Sequence, residues 1–237
     1  METFVLIPGA GGDSGYWSRL VPELESRGHE AIAVDIREDD AALGLPEYAD
    51  ITLAAIGGRT DTVLVAQSMG AFTAAMISGR VPVRAIVLLN AMIPRPGETP
   101  GQWWDAVGWE QARYDAAVAG GYPTQFDTGT YFFHDVPSEV VASLPVDQRG
   151  PSDTPFAKPC TFHSWPRVPL FALAGADDRF FPLDLQRRLA AQRLGVEVDV
   201  LPGGHLLALG HAAELADRLT AYAAALPKAH RQTNVQR

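Results

Sequence analysis

The sequence predicts an α/β fold, a mostly parallel six-stranded sheet with helices on both faces and one long insertion. Three features carry this prediction. Short β-branched runs take turns with longer helical patterns along the chain. Most of those runs are apolar at every position rather than at every second one, as parallel strands covered on both faces must be. The alternation then stops once, from 91 to 168, where prolines, glycines and four of the five tryptophans take its place.

The first run, FVLI at 4–7, breaks at Pro8 and opens into a glycine-rich turn. A helical pattern follows at 16–26, then a strand at 31–34 and a helix at 48–56. The run TVLVA at 62–66 leads into the helical pattern 69–78 with no loop of Gly, Pro, Asn or Asp between them, which leaves Ser68 at an abrupt junction. A strand at 84–89 precedes the insertion. After it come a strand at 170–174, a helix at 183–192, a strand at 197–201 and a helix at 212–225, limited by Gly and Pro stops. The expected organisation is a core of 1–90 and 169–226, a lid or cap insertion of 91–168 that is too long for a loop, and a flexible polar tail of 227–237.

Composition excludes several functions. With 237 residues, 47% hydrophobic and 20% charged, the chain buries a sizeable core. A net charge of -9 and a pI near 5.1, with no Lys/Arg stripe, argue against nucleic acid as a partner. The opening METFVLIPGAGG has no basic leader and its apolar run ends at Pro8, so neither a signal peptide nor a membrane span is expected, and the localisation expected is cytoplasmic. Cys160 is the single cysteine, which rules out an intrachain disulfide and a thiolate metal cluster. No His/Asp/Glu cluster has ligand spacing, so no metal and no cofactor are expected. Abundant alanine and only two lysines, Lys158 and Lys228, fit a GC-rich bacterial genome. The expected partner is a small-molecule substrate, with a homodimer left open.

Four stretches carry chemistry. In VLVAQSMGAF, Ser68 has small residues two places before and after it, Ala66 and Gly70, as a nucleophile on a tight strand-to-helix turn requires. The LIPGAGGDSGYW stretch is a strand followed by a glycine-rich turn. Such a turn brings backbone amides close to an oxyanion, and the Ala10 and Met69 N–H groups are the donors expected. A phosphate-binding loop is excluded because neither G-x-x-x-x-G-K-[ST] nor G-x-G-x-x-G is present. The segment LAGADDRFFP offers an acid after a strand, Asp178 first and Asp177 second, whereas the preceding strand ends at Asn90 and offers none. In VLPGGHLLALGH, His205 follows a strand and a Gly-Gly turn, placed to lean toward Ser68. His211 is expected near the start of the last helix, and His29, His163 and His230 read as structural.

Taken together, Ser, Asp and His in that order, each after a strand, resemble the α/β-hydrolase superfamily over nearly the whole chain. The opening FVLIPGAGGDSGYW resembles the small esterases related to plant methylesterases and hydroxynitrile lyases. Two positions depart from the family, Pro8 where a histidine is usual and Ala66 where glycine is usual. The resemblance implies a sheet lacking the superfamily's first two strands. It implies Ser68 as nucleophile, His205 as general base and acid, Asp178 as the orienting acid, and Ala10 and Met69 as the oxyanion hole. The activity it implies is a cofactor-independent serine carboxylesterase forming an acyl-enzyme. A hydroxynitrile-lyase-like or carbon–carbon bond-cleaving enzyme with the same triad, or a non-catalytic ligand-binding member, are the alternatives. Lys158 is the one lysine in the lid for the lyase reading. The lid's aromatic content predicts an apolar pocket, with Trp103, Trp104, Phe132 and His134 as substrate-binding candidates and uncharged apolar or aromatic esters as substrates.

Overall fold

The computed structural model describes residues 1–144 and 150–227. Six strands run in the order β2-β1-β3-β4-β5-β6, every neighbouring pair parallel: β1 (Thr3–Ile7), β2 (Glu30–Ala33), β3 (Thr62–Gln67), β4 (Val83–Leu89), β5 (Leu170–Gly175) and β6 (Val198–Leu201). All six expected strands are present, with ends shifted by a residue or two. Continuous apolar sequence is explained by burial on both sides. Along β3, Leu64 and Ala66 enter one core cluster while Val63 and Val65 enter the other, and β1 divides in the same way, Val5 and Ile7 against Phe4 and Leu6. Each fully buried Leu, Ile or Phe contributes about 1.5–3 kcal/mol of apolar burial.

On one face lie α2 (Leu45–Ile56), α3 (Gly70–Ile77) and α9 (Leu183–Leu194). The other is covered by α1 (Leu20–Ser26), α10 (Leu207–Gly210) and α11 (Ala212–Ala225). All eight residues of α3 are buried, which is why GAFTAAMI lacks a polar face. The expected helix at 16–26 is split: a 3₁₀ turn over Ser14–Trp17, begun by Asp13 accepting from Gly15 N at 2.7 Å, precedes α1.

Between β4 and β5 the described chain forms α4 (Pro100–Val107), α5 (Trp109–Gly120), α6 (Thr128–Tyr131), α7 (Ser138–Ser143) and α8 (Thr154–Ala157), and no strand. This is more helix than the sequence pattern suggested. The start signal for α4 was nonetheless written in TPGQ. Thr99 Oγ1 accepts from Gln102 N at 3.0 Å, Gln102 Oε1 accepts from Thr99 N at 3.1 Å, and proline stands at the first helical position. Gly108, at φ 65°, ends α4 and starts α5 within one residue. Among the described residues no helix is long and apolar enough to cross a membrane. Most of the tail, from 228 onward, lies outside the described residues.

Candidate active site

Ser68 directly follows β3 at φ 49°, and α3 starts two residues later. A left-handed backbone at a residue with a Cβ is strained by about 1–2 kcal/mol, and the surrounding bonds hold it there. Ser68 N donates to Leu89 O at 3.0 Å, and Ser68 O accepts from Met92 N at 3.0 Å and Ala71 N at 3.2 Å. The close approach of helix to strand dictates Gly70: a Cβ there would lie 2.4 Å from Pro8 O and 2.8 Å from Ile7 O. Ala66, fully buried on the strand, accommodates its extra methyl in the core.

The loop after β5 supplies the acid. Asp178 Oδ2 lies 2.9 Å from His205 Nδ1, and Asp178 Oδ1 accepts from the amides of Phe180 at 2.9 Å and Phe181 at 2.8 Å. Gln186 Nε2, from α9, adds a contact of 3.3 Å to Oδ2. With those donors around it a carboxylate is held in one orientation, and it fixes the imidazole with a proton on Nδ1 and a lone pair on Nε2. Of the two aspartates, it is Asp178 that meets the ring. Asp177 is exposed, and its carboxylate instead reaches Gly203 N at 3.4 Å.

The turn carrying His205 is braced from two sides. Asn90 Nδ2 donates to Gly204 O at 3.1 Å and His205 O at 2.9 Å, while Asn90 Oδ1 accepts from Gly175 N at 2.8 Å. From the β4–β5 segment, Asp135 Oδ2 accepts from Gly204 N at 2.5 Å. The far imidazole nitrogen, His205 Nε2, faces Gln67 Nε2 at 3.1 Å, and among the described residues no hydrogen bond joins it to Ser68 Oγ.

Ser68 and His205 line one cavity of about 320 Å³, together with Ala10, Met69, Trp104 and Phe132. Neither the Ala10 nor the Met69 amide donates to a backbone carbonyl of the described chain, so both are free to serve an incoming oxygen. The turn beneath Ala10 rests on Glu38, a carboxyl only 1% exposed, which accepts from Gly11 N at 2.8 Å. Burial raises its pKa to about 8, so it is mostly neutral at pH 7. Cys160 is fully buried and its thiol is pushed up to about 12 by burial, an inert packing residue. Among the described residues no three His, Cys, Asp or Glu side chains gather as metal ligands.

Two of the aromatic and polar candidates of the β4–β5 segment stand elsewhere. Trp103 is fully buried and donates to Ile93 O at 3.1 Å, packed edge-on behind Trp104 at 5.3 Å. His134 lines a separate polar cavity beside Asp177 and Arg179, with its pKa lowered by burial. The aromatics nearest the imidazole are Phe132 at 5.1 Å, Phe180 at 5.2 Å and Phe181 at 5.0 Å. The sequence reading missed Gln67, Glu38, Gln186 and the bracing role of Asn90. The signal for Gln67 and Asn90 is a single carboxamide ending each of the apolar runs TVLVAQ and VRAIVLLN.

Comparison with known proteins gives the same architecture. A family model described as the alpha/beta hydrolase family matches residues 4–218. Methylesterase 3 of Arabidopsis thaliana is 28% identical over 126 residues, 46% of this chain and 46% of that one, so the match spans less than half of the relative's length. Among solved structures, a pyrethroid hydrolase of Sphingobium faniae superposes with a TM-score of 0.71 at 19% identity, covering 94% of this chain and 98% of the other. Polyneuridine aldehyde esterase gives a TM-score of 0.73 at 19% identity, covering 94% and 99%.

Proposed function

The chain belongs to the alpha/beta hydrolase family, and on that footing we propose that it is a serine hydrolase of small, uncharged carboxylic esters. The observation that carries the reading is the 2.9 Å contact of His205 Nδ1 with Asp178 Oδ2, at a cavity that Ser68 enters from a strained turn. Esterases and a pyrethroid hydrolase among the similar proteins support the same class.

In this mechanism Ser68 Oγ bonds to the ester carbonyl carbon while its proton passes to His205 Nε2. The carbonyl π electrons move onto the oxygen, which the Ala10 and Met69 N–H groups stabilise. Asp178 stabilises the imidazolium without taking its proton. As the carbon–oxygen bond to the leaving group breaks, His205 gives that proton to the departing alkoxide and an acyl-enzyme remains. Water then repeats the sequence, losing a proton to His205, and releases the acid and free Ser68.

The preference for uncharged, apolar or aromatic groups rests on the cavity wall. Among its described lining residues Asp13 is the one carboxylate, and there is no Lys or Arg to pair an anionic substrate. The insertion of 91–168 acts here as the lid, giving Trp104 and Phe132 to the wall. Lys158 is exposed and is not among the lining residues, which leaves the hydroxynitrile-lyase reading without its cation.

A fluorophosphonate probe tests the proposal. Wild-type protein is expected to label and to hydrolyse matched aryl esters, neutral ones with higher kcat/KM than anionic ones, while Ser68→Ala does neither and keeps its melting temperature within a few degrees. A folded Ser68→Ala that still turns over esters would reject the mechanism. A wild-type protein that neither labels nor hydrolyses would favour a ligand-binding member of the family.

A further inference from the structure

Gln67 is the last residue of β3, 4% exposed, in a strand whose other five residues are Thr62, Val63, Leu64, Val65 and Ala66. A carboxamide buried there must be hydrogen-bonded, since an unmet buried amide is destabilising. Its Nε2 lies 3.1 Å from His205 Nε2. The other ring nitrogen faces Asp178, so Nε2 carries the lone pair and the amide N–H of Gln67 donates to it. That lone pair is the one that must receive the Ser68 proton.

A second observation concerns Gly9. A Cβ on Gly9 would lie 2.2 Å from Gln67 Oε1 and 2.9 Å from Ser68 Cβ. Glycine at that point of the oxyanion turn therefore leaves room for the carboxamide, which runs between the turn and the imidazole. Gln67 also lines the cavity itself. A group seated over Gly9 would therefore abut the carboxamide that contacts the base.

We infer that Gln67 is a positioning residue that occupies the general base through its contact with His205 Nε2, releasing that nitrogen to Ser68 when substrate displaces the carboxamide. The inference rests on the hydrolase reading for its consequence, and on the contact at His205 for its geometry. It makes Ser68 a weaker nucleophile toward small reagents that do not fill the cavity than toward esters that do.

Three variants test this through their rates of labelling by a small fluorophosphonate at neutral pH. Gln67→Met keeps length and apolar volume but has no donor, and Gln67→Ala removes the group without adding bulk. Both are expected to label about fivefold faster than wild type, the factor one net hydrogen bond is worth. Gln67→Glu presents a carboxylate that pairs with the imidazolium, withdrawing the neutral base, and is expected to label more slowly than wild type. A purely structural role would slow all three. Equal or slower labelling of folded Gln67→Met and Gln67→Ala overturns the inference. Should wild type itself fail to label, the hydrolase reading fails separately, and nitrogen NMR of the His205 ring decides. A Nε2 resonance that moves toward the free-imidazole position in Gln67→Met sustains the contact, and an unmoved one overturns it.

Discussion

Ser68 and Asn90 directly follow the neighbouring parallel strands β3 and β4, and they share a backbone geometry. With φ of 49° and 43°, they are the two non-glycine residues of positive φ among the described residues. They use it differently. The Asn90 side chain is saturated: its carboxamide joins Gly175, the last residue of β5, to Gly204 and His205 after β6, so one residue ties three strand ends together. The Ser68 hydroxyl bonds to no described residue, and Ser68 lines the cavity. Strain of similar size thus supports the scaffold at one strand end and, in the proposed mechanism, aims the nucleophile at the other. The lesson is that a strained residue alone does not mark a nucleophile. In the proposed mechanism, what sets Ser68 apart is strain together with a side chain that bonds to no described residue.

The contrast is broken most severely through the acid that contacts His205. Asp178→Asn keeps the shape of the loop but cannot hold the reactive tautomer of His205, and is expected to lower kcat on the order of ten-thousand-fold. Asp177→Asn, at an exposed carboxylate that reaches Gly203 N and not His205, is expected to change kcat by less than about tenfold, within what small shifts of a braced histidine cause. Esterase kinetics on the two purified variants make the comparison, and the reverse ranking would move the acid by one residue.

Asn90 sharpens the contrast from the scaffold side. Asn90→Gly relieves the strain yet leaves Gly175 N, Gly204 O and His205 O without partners, so a net loss of roughly 3 kcal/mol in denaturant unfolding is expected. Activity should fall with it because the His205 turn loses its brace. A variant as stable as wild type would mean the three contacts are replaced by others.

The sheet was legible because burial on both faces forces continuous apolar strands, and six such runs stood out at their observed positions. Ser68, Asp178 and His205 were legible as candidates because each follows a strand, where chain order and turn glycines mark it. The helices of the 91–168 segment were harder to read. Tryptophans and a capping box at TPGQ read as loop composition until Thr99 and Gln102 are seen to bond each other. Trp103 and Trp104 are adjacent in sequence, yet one is buried behind the other, and no local pattern tells which ring reaches the cavity. Gln67, Glu38 and Asn90 were missed as partners because their bonds reach across 27 or more residues. Sequence periodicity reports which face is buried and carries no record of what a buried polar group touches.

Glu38 is a third buried polar group at the site's edge, and it differs from Asn90 in being titratable. Its unfolded carboxyl ionises near 4.5 and its folded one near 8. Between those values the folded state holds a proton that the unfolded chain has lost, so stability falls as pH rises through the window. Below it both states are neutral, and above it both are charged, so the difference stops changing. Glu38→Gln keeps an oxygen for Gly11 N and removes the titration. Its melting temperature is expected to gain on wild type steadily from about pH 5 to about pH 8, read by thermal denaturation at each pH. A gap independent of pH would mean that Glu38 is ionised in the folded protein throughout.

The smallest effect tests the shared strain itself. Glycine adopts positive φ without penalty, so Ser68→Gly relieves about 1–2 kcal/mol of backbone strain and removes a hydroxyl that bonds to no described residue. Against this stands the greater freedom of glycine in the unfolded chain, worth roughly 0.5–1 kcal/mol. The net expectation is a gain of about 0–1.5 kcal/mol, with each 1 kcal/mol raising the melting temperature by about 2–4 °C for a domain of this size. The same replacement at Asn90, on the same kind of turn one strand away, is expected to lower it. Opposite signs at two positions of nearly equal φ would separate what the backbone contributes from what the side chain contributes. If Ser68→Gly lowered stability as Asn90→Gly does, Ser68 would be part of the scaffold and its hydroxyl would have a structural partner, which contradicts the role of nucleophile.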